Sequence, residues 1–319
     1  MHPFVPPFIK DEFLAFEKNL QHALSNDNTF IYNILSHINK EQGKQLRPIL
    51  VLLSAAINGE INKKTHSIAS LVELLHISSL IHDDVIDNSS MRRNHQTVNS
   101  LWNNKIAVLL GDYLLAKCMQ LLQWSEDSEL SGYVSQLVQK MTEGEIIQLS
   151  YINNYSISEE EYYNIIEAKT AALFKASLYL GAYSVDAQPE TCATFEQIGK
   201  HMGLAFQMKD DLMDYNKSLK DKDFAKDIKE HIITLPLIYT LQNMSDTEKN
   251  SLITLYKNHQ HKKENLIRII DIVGKHGGID YTNTKIQSEV NKSISLIHEL
   301  KQSEHTEILI QLLQQIFYK

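Results

Sequence analysis

Apolar residues recur every three or four positions along most of the chain, the spacing of one buried helix face. Turn-forming residues are sparse, with 11 Gly and 6 Pro in 319 residues, and good helix formers are common. The pattern predicts two amphipathic helices within residues 8–40, separated near Ser25–Asn28. We therefore predict an all-α fold.

Further helices are predicted over residues 106–122 (buried), 133–151, 195–215 and 232–241. Pro48 suits the first turn of a helix, and Ser158 with Glu161 forms a capping-box pattern. The polar stretch 216–229 is interpreted either as a loop covering a site or as an ordinary solvated loop. The length allows two domains, but no linker divides the chain, so we expect a single domain over residues 1–319.

The first acidic cluster closes an apolar helix. Asp83 and Asp87 are four residues apart, so they lie on one helix face. His76 lies within about 20° of that face. Carboxylates at this spacing repel each other. A divalent cation would offset the repulsion, and Mg²⁺ is held by one or two carboxylates plus substrate phosphates.

A second cluster, Asp210-Asp211-Leu-Met-Asp214, repeats the same Asp-Asp-x-x-Asp spacing. Gln207 and the three aspartates share one narrow helix face. A lone acidic cluster is usually a solvated helix end. Because this one recurs after apolar sequence, the pair favours a shared metal cluster.

Three basic motifs have two interpretations each. Lys44 and Arg47 lie at a helix N-terminus, where they could bind an anion or be ordinary surface charge. Arg92-Arg93 could grip phosphate oxygens or form a salt bridge back to the first acidic cluster. Lys169-Thr170 could bind phosphate, or the lysine could extend to solvent.

The composition of the chain limits which partners and which cellular compartment are expected. The net charge of −8, with no basic stripe, argues against nucleic acid, whereas bound cations would still allow a phosphorylated substrate. Cys118 and Cys192 are interpreted as buried thiols of a reducing cytosol. No signal peptide or transmembrane helix is expected, and a cytoplasmic location is predicted.

The chain resembles the trans-prenyltransferases, or polyprenyl diphosphate synthases, over nearly its whole length. The resemblance rests on Gly43-Lys-Gln-Leu-Arg-Pro48, both Asp-Asp-x-x-Asp motifs, Arg92-Arg93, Lys169-Thr170, Phe206-Gln207 and Gly277-Gly278-Ile-Asp280. It implies helices surrounding a deep central cavity, with the two acidic helices facing each other across its mouth.

The resemblance also implies a division of roles. Mg²⁺ would be held by Asp83, Asp87, Asp210 and Asp214, supported by Asp84 and Asp211, and would bridge an allylic diphosphate. The same diphosphate would contact Arg92, Lys169, Thr170, Gln207 and Lys222. Isopentenyl diphosphate would be held by Lys44, Arg47, His76 and Arg93. Catalysis would rest on Asp83, Asp84, Asp87, Lys169, Asp210 and Asp211.

Three residues depart from the family pattern. Gln45 replaces a basic residue, and Asn94 replaces a common glycine but tolerates a left-handed backbone. Ile232 stands where many relatives have a lysine that supports the allylic diphosphate. Its absence could weaken substrate binding or reflect a synthase that needs another subunit.

Product length is predicted from Leu75, Ser78 and Ser79, which lie one to two turns before Asp83. Short-chain members resemble one another in having bulky aromatic residues near the two serine positions. Small side chains leave the cavity open, so we expect a hexa- to octaprenyl product, the size used for quinone side chains. Release of such a product would involve transient membrane contact. The expected assembly is a homodimer, with a heteromer as the alternative.

Three alternatives are weighed. A terpene cyclase normally lacks the Lys44 and Arg47 site and the second acidic motif. A His-Asp phosphohydrolase, suggested by His82-Asp83, would leave that motif unexplained. A non-catalytic subunit of a heteromeric synthase typically loses the aspartates, all of which are present here.

Overall fold

The computed structural model describes residues 4–40, 43–216 and 224–318, with the backbone alone at Lys40. Nearly all regular structure in these ranges is helical, which confirms the predicted all-α class. The helices are α1 (Lys10–Ala23), α2 (Thr29–Lys40), α3 (Leu46–Asn58), α4 (Lys63–Ile86), α5 (Val98–Leu101), α6 (Asn104–Ser125), α7 (Ser128–Ser150), α8 (Glu159–Ile166), α9 (Ala172–Tyr183), α10 (Pro189–Met213), α11 (Lys226–Lys229), α12 (Leu235–Gln242), α13 (Asp246–Lys257), α14 (Lys263–Lys275), α15 (Gly278–Glu299) and α16 (Glu304–Phe317). A 3₁₀ turn (Pro7–Ile9), a π-helical segment (Glu167–Ala171) and a two-residue hairpin of β1 (Met91–Arg92) and β2 (His95–Gln96) complete them.

The chain divides into two compact units, each assembled from separate stretches of sequence. The first unit comprises Met1–Gln136, Leu173–Glu196 and Leu300–Leu312; the second comprises Leu137–Ala172, Gln197–Glu299 and Leu313–Lys319. The first acidic motif belongs to the first unit, and the second motif belongs to the second unit. The single domain and the central cavity stay predictions.

The first unit is built on α4, which packs against α1, α3 and α6. Helix α3 is almost wholly buried from Leu46 to Ala55, because its apolar residues form a continuous run rather than one stripe. Close approach of α4 and α6 requires Gly111, where a Cβ would overlap the His82 ring. This packing fixes the end of α4 that carries Asp83 and Asp87.

In the second unit α12 packs on α15, and Tyr239 stacks on Tyr281 with ring centroids 4.0 Å apart. Helix α8 begins at the predicted capping box: the Glu161 N–H donates to Ser158 Oγ at 3.1 Å, and the Ser158 N–H donates to the Glu161 carboxylate at 2.7 Å. The box fixes the start of the helix that leads to Lys169.

The helix predicted over residues 106–122 is α6, which is longer than predicted and buried on one face only. Its outer face exposes Val108, Leu109, Met119 and Trp124, the last with 73% of its surface accessible. Within the described part of the chain, α6 has the length and apolar composition to cross a membrane, and 28% of its most apolar window is buried. Core helices meet the same criteria, so this is weak evidence for a span.

Candidate active site

The last turn of α4 presents two carboxylates on one face. Asp83 and Asp87 are both half-buried, and the Asp87 N–H donates to the Asp83 carbonyl oxygen at 2.8 Å, which keeps the residues in helical register. The C-terminus of a helix carries a partial negative charge, which adds to the repulsion between the carboxylates. The arrangement therefore attracts a cation.

The third aspartate of this motif is differently placed. Asp84 is buried, and its Oδ1 accepts hydrogen bonds from Arg92 Nε at 2.9 Å and from an Arg92 terminal nitrogen at 2.8 Å. Burial alone would lower the pKa of Arg92, but the hydrogen bond and the nearby carboxylates raise it overall. Arg92 thus forms the salt bridge that was one of its two predicted roles, and it stays charged beside the acidic turn.

The hairpin explains why Arg92 and Arg93 point in different directions. Arg92 pairs with His95 in the ladder, while Arg93 and Asn94 form the turn with φ of 49° and 67°. Two positive φ values in a two-residue loop define a turn that matches the strand twist. Asn94 thus adopts the left-handed backbone expected of it.

Beside this hairpin lies the anion pocket, defined here as Gly43, Arg47, Glu73, His76 and Arg93. An Arg47 terminal nitrogen donates to His76 Nε2 at 3.0 Å. Arginine can only donate, so this imidazole nitrogen is unprotonated. Burial, with repulsion from Arg47 and Arg93, holds the pKa of His76 well below its usual value, which agrees with that assignment.

Two contacts fix the guanidinium groups of the pocket. Arg47 lies over the Phe174 ring at 4.8 Å, and burial lowers the Arg47 pKa to about 10. The Arg93 guanidinium occupies the space that a Cβ at Gly43 would fill, so a larger residue at position 43 would displace this guanidinium from the pocket. Lys44 is exposed, with its ammonium 5.1 Å from the centre of the Phe4 ring. Arg47, His76 and Arg93, which were predicted to bind one diphosphate, are thus close together.

Glu73 is a pocket residue that sequence reasoning missed. It is 6% exposed, and its Oε2 is buried without a hydrogen-bond partner among the described residues. Burial raises its pKa to about 7, against the opposing attraction of Arg47 and Arg93. The available signal was a glutamate inside an apolar run, three residues and therefore about one turn before His76.

In the second unit, the second acidic motif has one exposed carboxylate, Asp210. Asp211 is 3% exposed and accepts hydrogen bonds from the Tyr162 hydroxyl at 2.5 Å and the Gln207 amide at 2.7 Å. Thr170 in turn donates to the Gln207 carbonyl at 2.6 Å. Burial raises the pKa of Asp211 to about 7, against the lowering effect of these donors. A continuous hydrogen-bonded chain therefore joins Thr170, Gln207 and Asp211.

Asp214 is also buried, and it accepts hydrogen bonds from the backbone N–H groups of Lys226, Asp227 and Ile228. These groups are the unsatisfied donors at the start of α11, so Asp214 caps that short helix. Burial raises the pKa of Asp214 to about 6. Asp210 is accordingly the carboxylate of this motif that is most accessible to a ligand.

Lys169 lies in the π-helical segment, a distortion that is frequent at functional sites. Its ammonium pairs with Glu145 of α7 at 2.7 Å. Gly144 allows this contact, because a Cβ there would crowd Ala168 and the Lys169 backbone. Glu145, in the run Thr142-Glu-Gly-Glu, is a second residue that sequence reasoning did not assign.

Two further positions concern the predicted binding of the allylic diphosphate. Lys222 lies outside the described residues. Ile232, which stands in place of the usual lysine, offers its carbonyl oxygen to the Tyr256 hydroxyl at 2.9 Å. Its backbone is therefore held by α13.

The predicted chain-length residues are placed along α4. Ser78 is 1% exposed, and its hydroxyl donates to the Gly111 carbonyl of α6 at 2.9 Å. Ser79 is half-buried and donates to the His76 carbonyl at 2.9 Å, and Leu75 is buried. Ser78 thus lies where α4 contacts α6, and neither serine places a bulky group on this part of α4.

The donor set fits Mg²⁺. Asp83 and Asp87 supply hard oxygen ligands one turn apart, and this ion usually takes one or two carboxylates plus substrate phosphates. In residues 4–40, 43–216 and 224–318, no three acidic, histidine or cysteine side chains form a metal-binding group by themselves. The carboxylates would therefore depend on substrate oxygens to complete the coordination.

Removal of the Tyr162 hydroxyl tests the second acidic motif. We expect Tyr162→Phe to lower the free energy of unfolding by about 1–3 kcal/mol, because Asp211 loses a donor in a buried site. Urea denaturation measures this. Tyr163→Phe is the matched control, since that hydroxyl donates to the weak acceptor Met208 Sδ at 3.7 Å. Equal destabilisation by both variants would show that the Tyr162–Asp211 bond has no special importance.

The fold and this site define a class of protein. Comparison with known proteins identifies that class. The sequence model of the polyprenyl synthetase family matches residues 28–273, and the chain belongs to that family. It is 30% identical over 307 residues to an all-trans-nonaprenyl-diphosphate synthase (geranyl-diphosphate specific) of Rhodobacter capsulatus, covering 95% of this chain and 94% of the relative.

Other relatives agree. An octaprenyl diphosphate synthase of Escherichia coli is 30% identical over 291 residues, covering 90% of this chain and 89% of the relative. The crystal structure of a decaprenyl diphosphate synthase from Rhodobacter capsulatus superposes with a TM-score of 0.92 at 27% identity, covering 97% of this chain and 96% of that one. The predicted family and the predicted prenyltransferase class are confirmed.

Proposed function

We propose that the chain is a Mg²⁺-dependent trans-polyprenyl diphosphate synthase that adds isopentenyl diphosphate repeatedly to an allylic diphosphate. One observation carries the proposal: the anion pocket and the carboxylate pair lie on one face of α4. His76 and Asp83 are seven residues apart, about 10 Å along the axis. Two diphosphates bound at these points would sit side by side, as a condensation between two diphosphate esters requires.

The residues divide the reaction between them. Arg47, His76 and Arg93 hold isopentenyl diphosphate, while Arg92, Lys169 and Gln207 orient the allylic diphosphate. Asp83, Asp87, Asp210 and Asp214 would hold Mg²⁺, and the bound ion would supply positive charge that offsets the charge of the leaving diphosphate. The allylic C1–O bond breaks, the isopentenyl double bond attacks C1, and loss of a proton restores the alkene. Charge on the departing group is stabilised by cationic side chains, so no protein nucleophile is needed.

For product length we propose the hexa- to octaprenyl range, for use in quinone side chains. Support comes from the small residues Ser78 and Ser79 one turn from Asp83, and from the octaprenyl synthase among the relatives. The allylic primer is of the farnesyl or geranylgeranyl type.

Adding bulk at Ser78 tests the length proposal. We expect Ser78→Phe to shorten the main product by at least one isoprene unit, because the ring fills space next to the growing tail. Reversed-phase chromatography of the dephosphorylated products measures it. Ser78→Ala removes the bond to Gly111 without adding volume, and it should leave the length unchanged. Unchanged products from the Phe variant would overturn the assignment of Ser78.

A homodimer is the proposed assembly, and a cytoplasmic location fits the two free, buried cysteines. Val108, Leu109 and Met119 are exposed apolar side chains on α6, and exposed apolar patches mark interaction sites. This surface supports association with a second copy. Transient contact with a membrane would accompany release of a long apolar product.

Two measurements on the purified chain test the function and the assembly. The purified chain alone, with Mg²⁺, farnesyl diphosphate and labelled isopentenyl diphosphate, should give elongated product, and light scattering should give twice the chain mass. Activity that appears only after a second protein is added would support the heteromeric alternative. A cyclic hydrocarbon or free phosphate without elongation would contradict the proposal.

A further inference from the structure

Glu73 belongs to the anion pocket but to none of the proposed metal or diphosphate contacts. A cavity of about 50 Å³ is lined by Gly43 and by polar and charged residues together with apolar side chains, the polar and charged ones being Asn39, Glu73, His76, Asp84, Arg92 and Arg93. A buried carboxylate is costly unless it is paired and hydrogen-bonded. Glu73 Oε2 has no hydrogen bond in the described structure, so this oxygen depends on nearby positive charge for compensation.

The charges that face Glu73 come from three elements. Arg47 approaches from α3 and Arg93 from the β1–β2 turn, and these two guanidinium groups attract the carboxylate. His76, on α4 itself, is neutral, as its hydrogen bond from Arg47 requires. Arg92 is paired with Asp84, and Asn39 of α2 lines the cavity without charge. Glu73 is therefore an anionic group that attracts both Arg47 and Arg93 in the described part of this pocket.

We propose that Glu73 is a positioning residue of the anion pocket: its carboxylate balances Arg47 and Arg93 before substrate binds and takes up a proton from solvent when a diphosphate replaces it. This inference rests on the proposed function, because the replacing anion is isopentenyl diphosphate. The cause is electrostatic. A diphosphate bound to the two arginines is a negative neighbour of Glu73, and a like charge favours the neutral acid.

The affinity for isopentenyl diphosphate should fall as the pH rises above about 7. The pKa of Glu73 is about 7 in the substrate-free pocket and rises further when diphosphate binds. Below pH 7 the group is already protonated, so binding takes up no proton there. Between the two pKa values the affinity for isopentenyl diphosphate falls by up to about tenfold per pH unit, and about one proton is taken up per diphosphate bound.

The experiment measures proton uptake directly. Isopentenyl diphosphate is titrated into the full-length protein at pH 8 by calorimetry, in two buffers of different ionisation enthalpy. Glu73→Gln keeps the shape but cannot titrate, so it should show about one proton less than wild type. Glu73→Asp should restore uptake. Glu60→Gln, at an exposed glutamate of the same unit, should behave as wild type and corrects for ionisation of the ligand itself.

The outcomes separate this inference from the proposed function. Wild-type uptake that is lost in Glu73→Gln and recovered in Glu73→Asp supports the role of Glu73. Equal uptake in wild type and Glu73→Gln overturns it, even if the enzyme elongates prenyl chains normally. If isopentenyl diphosphate does not bind and no chain is elongated, the pocket assignment and the proposed function fail together. A uniform loss of binding in both Glu73 variants, with the same pH dependence as wild type, would indicate a structural residue and also overturn it.

Discussion

Replacing Asp83 by Asn should lower kcat for chain elongation by about 10³-fold. Asn keeps the size of the side chain and one oxygen but removes the negative charge that we propose holds Mg²⁺ at the end of α4. The Mg²⁺ concentration needed for half-maximal rate should rise as well. The KM for isopentenyl diphosphate should change little, because the anion pocket lies about 10 Å away along the helix.

Steady-state kinetics over a Mg²⁺ series measure both effects. Asp27→Asn is the matched control, since Asp27 is exposed in the loop between α1 and α2 of the same unit. A variant with normal kcat and normal Mg²⁺ dependence would remove Asp83 from the metal site. A selective rise in the KM for isopentenyl diphosphate would instead place Asp83 at the other substrate.

The second large effect is expected at Lys169. Lys169→Gln should lower kcat by about 10²-fold, because the ammonium no longer stabilises the charge that develops on the leaving diphosphate. The variant also leaves Glu145 without its ion-pair partner, which could impair the enzyme for a purely structural reason.

The double variant Lys169→Gln/Glu145→Gln distinguishes these causes, because it removes both charges of the pair. If Lys169 contacts substrate, the double variant stays as slow as the single one. Recovery of kcat in the double variant would show that Lys169 only neutralises Glu145. Lys140→Gln, at an exposed lysine of α7, controls for loss of a positive charge.

The sequence by itself determined the local features of this protein. Helical spacing placed Asp83 and Asp87 on one face, the Ser158–Glu161 pattern marked the start of α8, and Pro48 marked the first turn of α3. These features depend on residues a few positions apart, whose geometry is set by the helix itself. The order of the motifs was enough to predict the family.

Only the tertiary structure decided which side chains meet. Glu73 and Arg47 are on different helices, as are Tyr162 and Asp211, and their contacts depend on packing between distant segments. The sequence showed three similar aspartates in the second motif, but the fold exposes Asp210 and assigns Asp214 to a helix cap. Burial and hydrogen-bond partners are properties of the assembled fold, so helical periodicity could predict the face of each carboxylate but not its environment.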